Sequence, residues 1–222
     1  MKRDELASFD DPVFGIITLD QWAQDFWTLR HIPSFCPFPG SDTNNFCGAE
    51  PQHRALIENW TTSIPQLSRI SRISNVHDAL RHRRVFEVSI ARIEGQPITD
   101  EERAAFRAFL DAESLVTDLV LSAIVAYYHR LDEAERFDPL EILSENELVH
   151  FTDGINRTNI ERVCAFDGIS VSHSASADAP SLVFGFEPYW DLEHGFGVVW
   201  RDGKILHCGR HDDIAELLEL YD

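Results

Sequence analysis

The chain has 222 residues, 44% of them hydrophobic and 26% charged, an ordinary globular composition that argues against extended disorder, coiled coil and collagen-like structure. The 19 Lys and Arg are outnumbered by 38 Asp and Glu, a formal charge of -19, which repels phosphate backbones and argues against nucleic acid as a ligand. No apolar run approaches the roughly 20 residues of a membrane span, and the start MKRDELASFDDP lacks the apolar centre of a secretion signal, so a cytoplasmic protein without a membrane partner is expected.

Asp11 to Asp20 begins with Pro12 and continues in a β-branched run, which reads as a strand or hairpin arm. Trp22, Phe26 and Trp27 come next, and the four-residue spacing of Trp22 and Phe26 also fits a helical face. From His31 to Gly48 four residues, Pro33, Pro37, Pro39 and Gly40, break both periods, so a loop is expected. Pro51 then opens a helical pattern (Leu56, Ile57, Trp60) that Pro65 interrupts. Residues 31–84 read together as a helical, Pro- and Arg-rich insertion. Over residues 54–92, Arg54, Arg69, Arg72, Arg81, Arg83, Arg84 and Arg92 make a basic stretch in an acidic chain, and their expected partners are its own acids.

Val85 to Ile93 alternates imperfectly and predicts a strand, with Gly95 and Pro97 turning the chain after it. Thr99-Asp100-Glu101-Glu102 is a capping box, in which the Thr99 hydroxyl and the Glu102 carboxylate each take the other's backbone amide. The helix it opens carries Phe106, Phe109, Leu110, Val116, Leu119, Val120, Ala123, Ile124 and Tyr127 at helical spacing. Asp111 to Ser114 interrupts that stripe. The pattern predicts one long central helix, or a break near Ser114 with that residue capping a second helix. The acid-rich stretch 131–153 reads as one or two short helices with a solvated face, burying Ile142, Leu143, Leu148 and Val149. Beyond Gly154 the period changes to strands: 162–166, 169–173, 182–187, 197–200 and 204–208. Asp167-Gly168 and Asp202-Gly203 are type I′ hairpin signals, so an antiparallel meander is expected, closed by an amphipathic turn at Ile214, Leu217 and Leu218.

The predicted fold is therefore a single α+β domain over residues 1–222: an antiparallel sheet packed against the central helix, with 31–84 inserted. Chemistry is sparsely written. Trp190-Asp191-Leu192-Glu193-His194-Gly195-Phe196-Gly197 holds two carboxylates and an imidazole, the raw material of a general base or a metal site. In extended chain Asp191 and Glu193 share a face that His194 does not, so convergence needs a turn, which Gly195 and Gly197 permit. The alternative is a structural hairpin in which a carboxylate accepts backbone amides while Trp190 and Phe196 anchor the loop. His31, Cys36, Cys47 and His53 offer a Cys2His2 set, the right donors for zinc but without the tight pairwise spacing of a structural site, so no cofactor is expected. Cys164 and Cys208 lie in strand-like runs and read as buried thiols. No nucleophile elbow or phosphate-binding loop appears.

Three motifs, Asp11-Pro12-Val13-Phe14-Gly15, Pro97 to Glu102 opening a helix that ends in Tyr127-Tyr128, and Trp190-Asp191-Leu192-Glu193-His194-Gly195-Phe196-Gly197-Val198, resemble a bacterial family of domains of unknown function. The resemblance covers residues 11–30 and 85–210, with Gly209 as a final glycine; Arg103 stands where a Gln is usual. It implies an architecture and carries no activity. Small acidic members are similar to accessory and immunity proteins found beside bacterial toxins. The expected function is an acidic protein-binding module for a basic partner. The alternatives are a metal-dependent or hydrolytic enzyme using Asp191, Glu193 and His194, and a subunit of a homo-oligomer.

Overall fold

The computed structural model describes residues 8–19, 26–35, 85–91, 97–132, 143, 148–173, 178–191 and 194–218. Eight strands form one sheet in sequential order: β1 (Ser8–Asp11), β2 (Gly15–Leu19), β3 (Phe26–His31), β4 (Val85–Ile90), β5 (Cys164–Ser172), β6 (Ser181–Pro188), β7 (Phe196–Arg201) and β8 (Lys204–Arg210). Between β4 and β5 lie α1 (Asp100–Asp111) and α2 (Glu113–Tyr128), and α3 (His211–Leu217) comes after β8. The fold class is α+β, as expected.

The sheet is mostly antiparallel, and the expectation of a wholly antiparallel one is corrected at a single junction. β4 and β5 run parallel, with Val88 beside Ile169 and Ile90 beside Val171. A parallel neighbour requires a crossover, and the chain between these strands contains α1 and α2. Asp167-Gly168 is likewise not a hairpin turn. β5 runs unbroken through it, with a bulge between Phe166 and Gly168, and Gly168 is needed for close approach: a Cβ there would sit 2.7 Å from the Glu87 carbonyl oxygen on β4. Asp202-Gly203 does make a two-residue hairpin, with φ of 49° and 78° at the two residues and Arg201 paired to Lys204.

At the amino-terminal end, Pro12, Val13 and Phe14 form the turn between β1 and β2, so the strand read across Asp11 to Asp20 begins only at Gly15. Phe26 and Trp27 belong to a strand, while Trp22 lies outside the described residues. His31 closes β3, while Ile32 and Phe35 are fully buried, so the expected loop starts later than His31. Phe35 stacks on Phe166 with ring centroids 3.8 Å apart. The rest of the 31–84 stretch lies outside the described residues, as do most of 131–147.

α1 starts as predicted: Thr99 Oγ1 accepts from the Glu102 amide at 3.2 Å, and Glu102 Oε2 accepts from the Thr99 amide at 2.7 Å. Of the two expectations for this stretch, the single long central helix is corrected, and a break near Ser114 is what the chain adopts. α1 ends at Asp111 and α2 begins at Glu113, the junction being Ala112 at φ -122°, ψ 22°, two residues before Ser114. Ser114 lies within α2 and caps nothing; the Ala112 amide closes α1 on the Phe109 carbonyl, and the Ala112 carbonyl starts α2 on Val116. Phe106 and Phe109 of α1 and Val116, Val120, Leu121 and Ile124 of α2 are buried in one core with Phe86, Phe166, Phe184 and Phe196 from the sheet. Val183 and Val199, register partners on β6 and β7, alternate away from that core and meet Ile214 and Leu218 instead, so α3 packs on the opposite face of the sheet. No helix among the described residues is long and apolar enough to cross a membrane.

Candidate functional site

The polar cluster at the β6–β7 connection gathers most of the residues singled out in the sequence. The Asp191 amide closes a turn on the Pro188 carbonyl at 3.3 Å. Asp191 Oδ1 then accepts from the His194 amide at 3.3 Å and contacts His194 Nδ1 at 2.7 Å. Asp191 Oδ2 takes the Nε–H of Arg210, from the end of β8, at 2.7 Å. The Asp191 side chain is 9% exposed, against 45% for His194 and 46% for Arg210. Burial alone would raise its pKa, but the hydrogen bonds from His194 and Arg210 outweigh burial and hold the carboxyl below its ordinary value. Asp191 is thus an ionised clasp between a turn and a neighbouring strand. Glu193 lies outside the described residues.

Aromatic rings support this turn from beneath. Trp190 packs on Tyr128 at 5.3 Å and edge-on against Phe196 at 6.0 Å, and Tyr127 meets Phe196 at 4.9 Å. Tyr127 and Tyr128 end α2, so the helix and the hairpin share one packing surface. Burial is the main reason the Tyr127 phenol has a raised pKa, with Arg210 opposing and Asp213, Cys208 and Asp191 reinforcing it. The glycines have distinct reasons. Gly195 has φ 66°, and a Cβ there would lie 2.5 Å from His211 Nδ1; at Gly197 a Cβ would lie 2.7 Å from Ile214 Cδ1. Both let α3 lie close against the sheet.

Neither described thiol is poised for nucleophilic work. Burial raises Cys164 well above its ordinary value and pushes Cys208 up to about 12. Of the expected zinc donors, Cys36, Cys47 and His53 fall outside the described residues, and His31 is described only as the last residue of β3. Among the described residues no group of three or more His, Cys, Asp and Glu is placed to hold a metal.

A second polar site joins two of the sequence motifs. Asp11 Oδ1 accepts from the Val13 amide at 2.9 Å and the Phe14 amide at 3.0 Å, while Oδ2 accepts from Arg103 Nε of α1 at 2.8 Å. Arg103 also reaches Asp100 at 2.9 Å. An Asp before Pro signals such a turn, but nothing local announces a partner 92 residues away. The same holds for Arg210, the residue at the hairpin that sequence reasoning missed.

Residues 67–215, more than half of the chain, match a family model described as Domain of unknown function (DUF6985). The chain belongs to that family. The DUF6985 segment contains α1, α2, β4 to β8 and the Asp191 clasp, and it begins within the stretch read as an insertion. Asp11 and its turn lie outside the matched segment. No curated protein and no solved structure matches the chain.

Proposed function

We propose that this protein is a cytoplasmic, acidic protein-binding module of the immunity or accessory type, whose partner is a basic protein. The observation that carries the reading is the sign of the exposed surface. Among the described residues, exposed Lys and Arg are confined to Arg107, Arg130, Lys204 and Arg210, whereas exposed acids occur on all three helices: Asp100, Glu101 and Asp111 on α1, Asp118 on α2, and Asp212, Asp213 and Glu216 on α3. A surface with an excess of one sign steers an oppositely charged partner and disfavours like-charged ones. Affinity capture on the immobilised chain from a lysate of the source cell, followed by titration of the purified partner, tests this. The complex is expected to weaken steeply between low and high salt and on Asp212→Lys, Asp213→Lys, Glu216→Lys substitution. A complex indifferent to both overturns electrostatic recognition. The module needs no resident metal, so elemental analysis should give less than one zinc per chain; stoichiometric zinc lost in Cys36→Ser overturns that part.

One observation favours a second reading, hydrolysis. The 2.7 Å contact with Asp191 fixes His194 through Nδ1 and leaves the ring half exposed, the arrangement in which a carboxylate orients a general base. Among the described residues, no hydrogen bond joins His194 to a Ser, Thr or Cys. Turnover of chromogenic esters or phosphate esters that disappears in His194→Ala, with thermal unfolding unchanged, supports hydrolysis over binding.

A further inference from the structure

Arg30 occupies an unusual place for a cation. In the antiparallel pairing of β3 and β4 it stands opposite Phe86, as Thr28 stands opposite Val88 and Phe26 opposite Ile90. Directly opposed residues share a face, and Phe86, Val88 and Ile90 are buried in the main core. Arg30 is therefore a core-facing residue, half-buried, and burial lowers its pKa. Its counter-ion is missing among the described residues: the guanidinium makes one long hydrogen bond, Nη1 to the Phe14 carbonyl at 3.4 Å, and no ion pair. The acid of the adjoining turn, Asp11, is already committed to two amides and Arg103.

A guanidinium has five N–H donors in a planar fork, and among the described residues most of these have no protein acceptor. Partly desolvating such a group without an anion costs free energy, in a chain where acids outnumber bases two to one. Gly15 of the β1–β2 turn lies beside it: a Cβ there would be 3.4 Å from Nη1, and its φ of 78° disfavours any side chain.

We propose that Arg30 anchors a binding site for a small oxyanion, a phosphate or carboxylate group, entered beside the β1–β2 turn. Two oxygens of such a group match the fork of the guanidinium, which a single ammonium does not. The charge of the whole chain repels anions at long range, so saturable uptake of one requires a short-range site of this kind.

The test uses the full chain. Thermal unfolding is compared in chloride, about 10 mM inorganic phosphate and about 10 mM acetate at matched ionic strength, since a ligand that binds only the native state raises the transition. A higher transition in phosphate or acetate than in chloride is expected, absent in Arg30→Met and reduced in Arg30→Lys. Phosphate acting alone assigns a phosphoryl group, and acetate acting alone a carboxylate. Equal transitions in all three salts, or the same rise in Arg30→Met, overturns the site. Because Arg30→Met could fail to fold, the wild-type Arg30 Nε–Hε resonance is also followed by NMR during the same titrations. A saturable shift is expected, and a signal that does not move with either anion overturns the proposal.

Discussion

Asp11 shows how much one side chain can hold. Its carboxylate is 1% exposed and satisfies the Val13 and Phe14 amides and Arg103 together, tying the β1–β2 turn to the first turn of α1. Burial alone would raise its pKa; the Phe14 and Val13 amides and the Arg103 guanidinium outweigh that and hold it below its ordinary value. A carboxylate depressed in the folded state contributes stability that is present above the unfolded value and lost as pH falls through the folded one. Asp11→Asn should therefore destabilise the protein at neutral pH and flatten the part of the acid-unfolding profile below about pH 4, measured by urea unfolding across pH. Asp11→Ala, which strands a partly buried guanidinium and two amides, should cost about 3 kcal/mol. Arg103→Gln should cost less than Arg103→Ala, because an amide can still donate to Asp11. A sequence reader sees the turn in Asp11-Pro12, but the ion pair depends on a contact between distant segments.

At the scale of elements, local chemistry marks the boundary of what was legible. Thr99 and Glu102 are three residues apart and close their box within one turn of chain, so the pattern alone located the start of α1. Thr99→Ala and Glu102→Ala should each destabilise by about 0.5–2 kcal/mol in thermal or urea unfolding, without change of fold. Asp202-Gly203 was legible for the same reason. Asp167-Gly168 misled because the same dipeptide serves a different need: its glycine answers to the backbone of β4, which is distant in sequence. The break at Ala112 was legible as an interruption of the apolar stripe but not in its position, since no side chain caps α2. The β6–β7 hairpin mixes both cases. Trp190 and Phe196 stood out as apolar anchors, whereas their partners Tyr127 and Tyr128 come from the end of a helix some sixty residues away. Phe196 is fully buried, so Phe196→Ala should cost about 3–5 kcal/mol, while the half-exposed His194 should tolerate alanine with a change within about 1 kcal/mol.

The whole molecule sets a layered core, rich in phenylalanine, against an acidic exterior. Phe14 stacks on Phe106 at 4.8 Å, and Phe109 meets Phe184 at 5.3 Å, so α1 is fastened to the start of the sheet and to its middle by rings. Rings of this size each bury a large apolar area and help to hold the layers together. The outer surface works against them, because a formal charge of -19 compressed into the folded volume repels itself more than it does in the expanded chain. Electrolyte screens that repulsion over about 10 Å at 0.1 M. The melting temperature should therefore rise as sodium chloride is increased from about 0.01 M to about 0.3 M, opposite to a fold held by surface ion pairs, which the same screening would weaken. Calorimetry across that series checks it. A falling transition would mean that ion pairs such as Arg103–Asp11 and Arg210–Asp191 outweigh the net charge. In that case the acidic exterior would be a balanced surface rather than a field, and the salt-sensitive partner proposed for it would lose its physical basis.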